Sequence, residues 1–183
     1  ENRLAIKRKI GYVADSPDLF LRLTANEFWE LIASSYDLTS SDLEASLARL
    51  LSVFDFAENR YQVIETLSHG MRQKVFVIGA LLSDPDIWVL DEPLTGLDPQ
   101  AAFDLKQMMK EHAQKGKTVL FSTHVLEVAE QVCDRIAILK KGHLIYCGKV
   151  EDLRKDHPDQ SLESIYLSLA GRKEEVSDAS QGH

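Results

Sequence analysis

Residues 87–91 read IWVLD, a short apolar run that ends abruptly in two adjacent carboxylates, Asp91 and Glu92. An apolar run of this length, bounded by polar turn residues, is typical of a strand buried on both faces. Parallel sheets present ligands and catalytic groups at the carboxyl ends of their strands. The run therefore predicts a buried strand that offers two acids to magnesium and phosphate chemistry. In the alternative reading, Asp91 is a local helix cap and Glu92 a solvated charge.

Strands and helices alternate from Ile87 onward, which is typical of a mostly parallel sheet covered by helices. Asp98 and Pro99 have the residue types that favour a helix cap and a first helical position. Lys141–Gly142 predicts a hairpin turn. The expected strands are 87–91, 118–122, 135–139 and 143–147, and the expected helices are about 101–114, 125–132, 150–155 and 161–170.

The segment before this alternation predicts a small helical subdomain. Thr24 with Glu27, and Ser41 with Glu44, stand at capping-box spacing. Apolar residues then recur at the helical period, so these helices should pack on each other and on the helix after Ser68. The periodic residues are Phe28, Leu31, Ile32, Leu43, Leu47, Leu50 and Leu51.

Composition narrows the class of protein. With 183 residues and 44% apolar content, the chain can bury one sizeable core, and no apolar stretch is long enough to cross a bilayer. The net charge of -8 argues against a nucleic-acid surface. Cys133 and Cys147 fit no metal or redox spacing and are predicted to be reduced thiols. Together these features predict a soluble cytosolic protein.

Four segments carry a family resemblance. Residues 67–74 read LSHGMRQK, residues 87–92 read IWVLDE, residues 96–98 read GLD, and His124 follows the strand at 118–122. In this order and at this spacing they resemble the motifs of ATP-binding cassette (ABC) ATPases. The resemblance covers the chain up to about residue 171. It implies an α/β, P-loop NTPase-like fold with a mostly parallel sheet flanked by helices and a small all-helical subdomain.

The resemblance also implies roles for individual residues. Asp91 would bind Mg²⁺, Glu92 would activate the attacking water, and His124 would be the switch histidine near the γ-phosphate of ATP. Ser68 and Gly70 would bind the nucleotide held by a second subunit, so that two subunits form a head-to-tail dimer. Asp98 would belong to the D-loop.

Three departures from the family pattern limit this transfer. His69 and Met71 replace two residues of the usual signature, which puts polar contacts from position 71 in doubt. Asp15 stands where the family has a glutamine. It is either a second Mg²⁺ ligand or only a loop residue that caps a turn.

No segment matches the P-loop pattern of Gly-x-x-x-x-Gly-Lys-Ser/Thr. In the family, the P-loop precedes a strand that residues 9–13 resemble. The sequence therefore predicts that the amino terminus is truncated and that this fragment is inactive. It also predicts that the strand at 87–91 lacks a neighbour, which leaves an apolar edge and face exposed. The implied division is a Q-loop-like core segment (1–19), a helical subdomain (20–83), an α/β core (84–148), carboxyl-terminal helices (149–170) and a disordered tail (171–183).

The function implied for the complete protein is an ATPase of an ABC transporter. It would work with a second ATPase subunit and a transmembrane permease, at the cytoplasmic face of the membrane. Two alternatives remain at this stage: a soluble ABC ATPase of DNA repair or translation, and a non-enzymatic interaction module. The acids at 91, 92 and 98 argue against the second alternative, because a module without chemistry would not need them.

Overall fold

A computed structural model describes residues 3–14, 20–158 and 160–169. The chain divides into two compact units, Glu1–Ser122 and Thr123–His183. Within the described ranges, no helix is long and apolar enough to cross a membrane. The helices are α1 (Arg3–Lys7), α2 (Ala25–Ser35), α3 (Ser40–Val53), α4 (His69–Leu81), α5 (Pro99–Gln114), α6 (Leu126–Val132) and α7 (Val150–Asp156), and the strands are β1 (Ile10–Val13), β2 (Ile87–Leu90), β3 (Thr118–Phe121), β4 (Arg135–Lys140) and β5 (His143–Lys149).

The first unit contains a parallel sheet of three strands in the order β1-β2-β3. Val13 is paired with Leu90, and Leu90 with Phe121, so the three strands end together. This confirms the predicted parallel sheet with flanking helices. The expectation that β2 lacks a neighbour is wrong, because β2 is the central strand and is hydrogen-bonded on both sides.

The two faces of this sheet differ in burial. Val13, Trp88 and Leu90 alternate toward one face and are buried there. Tyr12 and Leu120, in register on the opposite face, are 61% and 62% exposed. Parallel sheets are normally covered on both faces. One face of this sheet therefore exposes apolar side chains, as the sequence predicts.

The end of α5 is joined to β2 through two stacked rings. The His112 imidazole lies on the Trp88 indole, with 3.9 Å between ring centroids and 21° between their planes. His112 is 2% exposed. Burial, followed by the nearby charge of Lys117, lowers the pKa of His112. The imidazole is therefore kept neutral near pH 7.

The helical segment of the first unit packs through aromatic contacts. The Trp29 indole of α2 donates to the Val75 carbonyl of α4 at 2.9 Å, and the Phe28 and Phe76 rings meet edge to face. The Thr24–Glu27 capping box is confirmed. A second predicted box is wrong: the N-cap of α3 lies two residues earlier, at Thr39 paired with Asp42, and not at Ser41 paired with Glu44. Leu31 is 45% exposed and points away from the core, whereas Leu43, Leu47, Leu50 and Leu51 are buried.

The second unit contains an antiparallel hairpin of β4 and β5. The predicted turn at Lys141–Gly142 is confirmed, and both residues have left-handed φ angles of 47° and 78°. The expectation that β4 continues the parallel series is wrong, because β4 pairs with β5 in a separate sheet. A small core formed by Ala129, Leu153, Leu162 and Ile165 packs α6, α7 and the helical residues 162–169 together. The predicted tail lies outside the described residues.

Candidate functional site

The acid pair lies where β2 ends. The Asp91 amide donates to the Val13 carbonyl at 2.9 Å, and the Ser122 amide donates to the Leu90 carbonyl at 3.0 Å. The three strands are therefore bonded together up to the acids themselves. No helix begins at Asp91, so its interpretation as a helix cap is wrong. Asp91 is exposed and Glu92 is half-buried.

Ser122 supports both acids and was missed by the sequence analysis. Its hydroxyl donates to Asp91 Oδ1 at 2.5 Å and accepts from the Glu92 amide at 2.9 Å. Because Leu90 is paired with Phe121, the next residue on each strand must also face the other. The signal that could have identified Ser122 is its position. It is the polar residue that directly follows β3, and in a parallel pair it lies opposite Asp91, which directly follows β2.

Residues 92–98 form a bent connection to α5, which we call the acid turn. Glu92 has a left-handed φ of 45°, and Gly96 has one of 77°. A left-handed backbone costs about 1–2 kcal/mol for a residue with a side chain, so the conformation of Glu92 must be imposed by its surroundings. Thr95 supplies local support, since its amide donates to the Glu92 carbonyl at 3.1 Å. The turn fixes the direction in which the Glu92 carboxylate leaves the strand.

A helix start lies beside the acid turn. Ser68 is the exposed N-cap of α4, and its side chain accepts from the Met71 amide at 3.3 Å. Free amides and the positive end of the helix dipole favour anions at such a position. Ser68 and Gly70 are thus in the part of the first unit that suits a phosphate.

Gly70 touches the acid turn directly. A Cβ atom at Gly70 would collide with the Gly96 carbonyl oxygen, and a Cβ atom at Gly96 would collide with the His69 ring. Gly96 is further restricted by its left-handed φ of 77°. The glycine at position 70 is therefore required by packing within the chain, whatever it does toward a nucleotide.

Asp98 joins the far end of the acid turn to α4 and α5. Its Oδ1 accepts from the Ala101 amide at 2.9 Å, which confirms the predicted helix cap. Its Oδ2 pairs with Lys74 Nζ at 2.7 Å. The hydrogen bond from Lys74, followed by that from the Ala101 amide, lowers the pKa of Asp98.

Two further predicted site residues are His124 and Asp15. His124 is exposed and belongs to the second unit, and Asp15 lies outside the described residues. Among residues 3–14, 20–158 and 160–169, no group of three His, Cys, Asp or Glu side chains could hold a metal ion alone. A single exposed carboxylate with a fixed oxygen suits Mg²⁺, which prefers oxygen ligands and keeps several of its waters. Asp91 fits that requirement.

A parallel sheet with acids at its strand ends and a phosphate-suited helix start define a P-loop NTPase-like α/β domain. A family model described as "ABC transporter" matches residues 1–95, just over half of the chain. The ABC transporter ATP-binding protein EcsA of Bacillus subtilis is 36% identical over 89% of this chain and 67% of its own length. The chain belongs to the ABC transporter ATP-binding family.

Other relatives agree with this assignment. An uncharacterized ABC transporter ATP-binding protein of Nostoc, all4389, is 35% identical over 81% of this chain and 45% of its own length. The chain thus spans between about half and two-thirds of these curated relatives.

Solved structures give the same fold. An ATP-binding subunit of an ABC transporter superposes with a TM-score of 0.85 at 33% identity, covering 92% of this chain and 71% of that one. A dimeric ATP-binding cassette in a post-hydrolysis state, bound to ADP and Pi, gives a TM-score of 0.69 at 28% identity, covering 79% and 65%.

Proposed function

We propose that the complete protein carrying this chain is the ATP-binding and hydrolysing subunit of an ABC transporter. The observation that carries the proposal is the acid pair at the end of β2, which Ser122 holds through two hydrogen bonds. Phosphoryl transfer to water requires positioned charges and a positioned water, with little covalent chemistry from the protein. The arrangement at Asp91 and Glu92 can supply both.

The two acids have different roles in this proposal. Asp91 would hold Mg²⁺, an ion that prefers oxygen ligands. When bound, the ion neutralises charge on the transferred phosphate. Glu92 accepts a proton from the attacking water as general base. His124 contacts the γ-phosphate, and Asp15 is either a second ligand of the ion or a turn residue.

The nucleotide is shared between two copies of the protein. The start of α4, with Ser68 exposed at its cap, grips the phosphates held by the second subunit. Asp98, in the D-loop, is at the dimer contact. The solved relative described as dimeric and bound to ADP and Pi supports this arrangement by its likeness. ATP-driven closure of the dimer then acts on a transmembrane permease at the cytoplasmic face of the membrane.

Residues 1–183 alone are proposed to be inactive. Without the backbone amides and lysine of a P-loop, little in this sequence can hold the β- and γ-phosphates. The transporter role is supported by the names of relatives such as EcsA, which are ATP-binding proteins of ABC transporters. Nothing in the chain favours nucleic acid as a partner, since its net charge is -8.

The test is ATP hydrolysis by the full-length gene product and by the 183-residue chain. We expect turnover from the former only. Glu92→Gln should lower kcat by roughly 100-fold or more while ATP binding is retained, because general-base catalysis contributes about that much. Glu111→Gln makes the same change of charge on an exposed position of α5 and serves as the control. Native turnover by Glu92→Gln would refute the role of Glu92, and turnover by the 183-residue chain would refute the need for a P-loop.

A further inference from the structure

The acid turn is attached to the first two turns of α4 at three successive places. At its centre, Gly96 lies against His69 and Gly70. Near its beginning, the buried Gln73 side chain donates to the Pro93 carbonyl at 3.4 Å. At its end, Asp98 is paired with Lys74. One face of α4 thus contacts the turn along its whole length.

The strongest of these attachments is the ion pair. Lys74 Nζ lies 2.7 Å from Asp98 Oδ2, and the Lys74 side chain is only 13% exposed. A charge-assisted hydrogen bond of this length is stronger than a neutral one. Burial of the Lys74 side chain reduces screening by salt at that end, whereas 49% of the Asp98 side chain is exposed. Because the other oxygen of Asp98 caps α5, the carboxylate cannot turn to follow another partner without uncapping that helix.

We infer that Lys74 is a positioning residue, which transmits phosphate binding at the start of α4 to the geometry of Glu92. The inference rests on the proposed function. Ser68 caps the same helix whose second turn carries Lys74, and a hydrogen-bonded helix moves as a rigid body over so short a distance. A phosphate gripped at Ser68 therefore shifts Lys74, and Lys74 carries Asp98 and the acid turn with it.

The acid turn is suited to receive this displacement. Its first residue, Glu92, is held in a left-handed conformation that its own sequence disfavours. A change in the support of such a residue alters the direction of its side chain, because the strained backbone of Glu92 is held by its surroundings. Lys74 itself touches neither nucleotide nor water in this scheme. It acts only through Asp98.

The experiment measures steady-state ATP hydrolysis by the full-length protein with Lys74→Met, Lys74→Arg and Asp98→Asn. Asparagine caps helices as well as aspartate, so Asp98→Asn removes the ion pair and keeps the cap. The matched control is Lys117→Met. Lys117 is paired with Asp84 at 2.8 Å, with 21% of its side chain exposed, in the same unit but apart from the acid turn.

We expect Lys74→Met to lower kcat by roughly 10- to 100-fold with little change in KM, as misplacement of a reacting group does. Lys74→Arg should restore most of kcat, and Lys74→Met combined with Asp98→Asn should be no worse than the more impaired single variant. Lys117→Met should keep the native kcat. Native kcat in Lys74→Met, or an equal loss in Lys117→Met, would overturn the inference.

A second measurement separates this inference from the proposed function. Amide hydrogen exchange over residues 92–98 should become faster in Lys74→Met and stay unchanged in Lys117→Met, whether or not the protein hydrolyses ATP. Absence of turnover in the native protein would count against the proposed function. Unchanged exchange in Lys74→Met would count against the attachment itself, and so against the inference.

Discussion

The acid turn and the hairpin turn at Lys141–Gly142 use the same unusual backbone for different reasons. Each pairs a charged residue in the left-handed region with a left-handed glycine: Glu92 (φ 45°) and Gly96 (φ 77°), against Lys141 (φ 47°) and Gly142 (φ 78°). In the hairpin, the conformation is the one that two-residue connections prefer. A Cβ atom on Gly142 would meet nothing within 4 Å.

The acid turn, by contrast, is held by residues distant in sequence. Ser122 fixes its first amide, and α4 contacts its middle and its end. The comparison teaches that one turn is a local preference and the other is a conformation imposed by packing. Substitutions outside each turn should therefore affect the acid turn much more than the hairpin.

The largest effect is expected from Gly70→Ala, which lies outside the acid turn in sequence. The new methyl group would collide with the Gly96 carbonyl, and a backbone atom cannot rotate away. We expect the free energy of unfolding in urea to fall by about 2–3 kcal/mol, as for other overpacked sites. Gly142→Ala meets open space and should lose only about 1 kcal/mol, the cost of its left-handed φ. Equal losses of unfolding free energy in the two variants would show that the acid turn accommodates an added methyl group as readily as the hairpin does.

The next effect in size is that of Ser122→Ala. The substitution removes the hydroxyl that holds Asp91 Oδ1 and the Glu92 amide. We expect a loss of about 1 kcal/mol in urea unfolding, because both groups can turn to water. Exchange of the Glu92 amide should become faster. Ser122→Thr keeps the hydroxyl and is the control; if it behaves like alanine, the hydroxyl is not what supports the acids.

A smaller effect should depend on pH. The pKa of Asp98 is lowered in the folded state, mainly by the hydrogen bond from Lys74. Its ion pair therefore stabilises the fold fully above the unfolded pKa of about 4. This stabilisation is lost as the pH falls through the lower folded pKa. Asp98→Asn should therefore be less stable than the native protein at pH 6, and the difference should shrink as the pH falls below about 4. Urea unfolding across that range measures it. A difference that stays constant with pH would mean that folding does not lower the pKa of Asp98.

The smallest effect is expected in the hairpin. Lys141→Asn gives the Asn-Gly pair that this type of turn prefers. Stability should rise by roughly 0.5 kcal/mol, as for other turns improved in this way. Thermal unfolding of the native protein and of Lys141→Asn, measured side by side, is sensitive enough to detect this difference in stability. A loss of stability would indicate that the hairpin also depends on contacts beyond its own sequence.

Features with a local cause could be predicted from the sequence. The apolar run at 87–90, the cap at Asp98 and the turn at Lys141–Gly142 each follow from neighbouring residues, and all are present. The box at Thr39–Asp42 was missed because two overlapping serine and threonine candidates satisfy the same spacing, and only packing chooses between them.

Features with a distant cause could not be predicted. Nothing near Lys74 in sequence indicates Asp98 as its partner, and the separate sheet of β4 follows from pairing with β5 and not from its own residues. The catalytic roles of Asp91, Glu92 and His124 depend on the family resemblance, and they stay predictions until activity is measured.

The stacking of Trp88 on His112 gives this molecule an optical reporter. The chain has two tryptophans, and Trp88 lies three residues before Asp91 on the strand that carries the acids. A protonated imidazole quenches the emission of an indole in contact with it, whereas the neutral ring does so weakly. Since burial lowers the pKa of His112, the emission of Trp88 should fall only when the pH drops below about 6.5, the usual pKa of a histidine. A Trp29→Phe protein would then let fluorescence follow the state of the acid-bearing strand, without any added label.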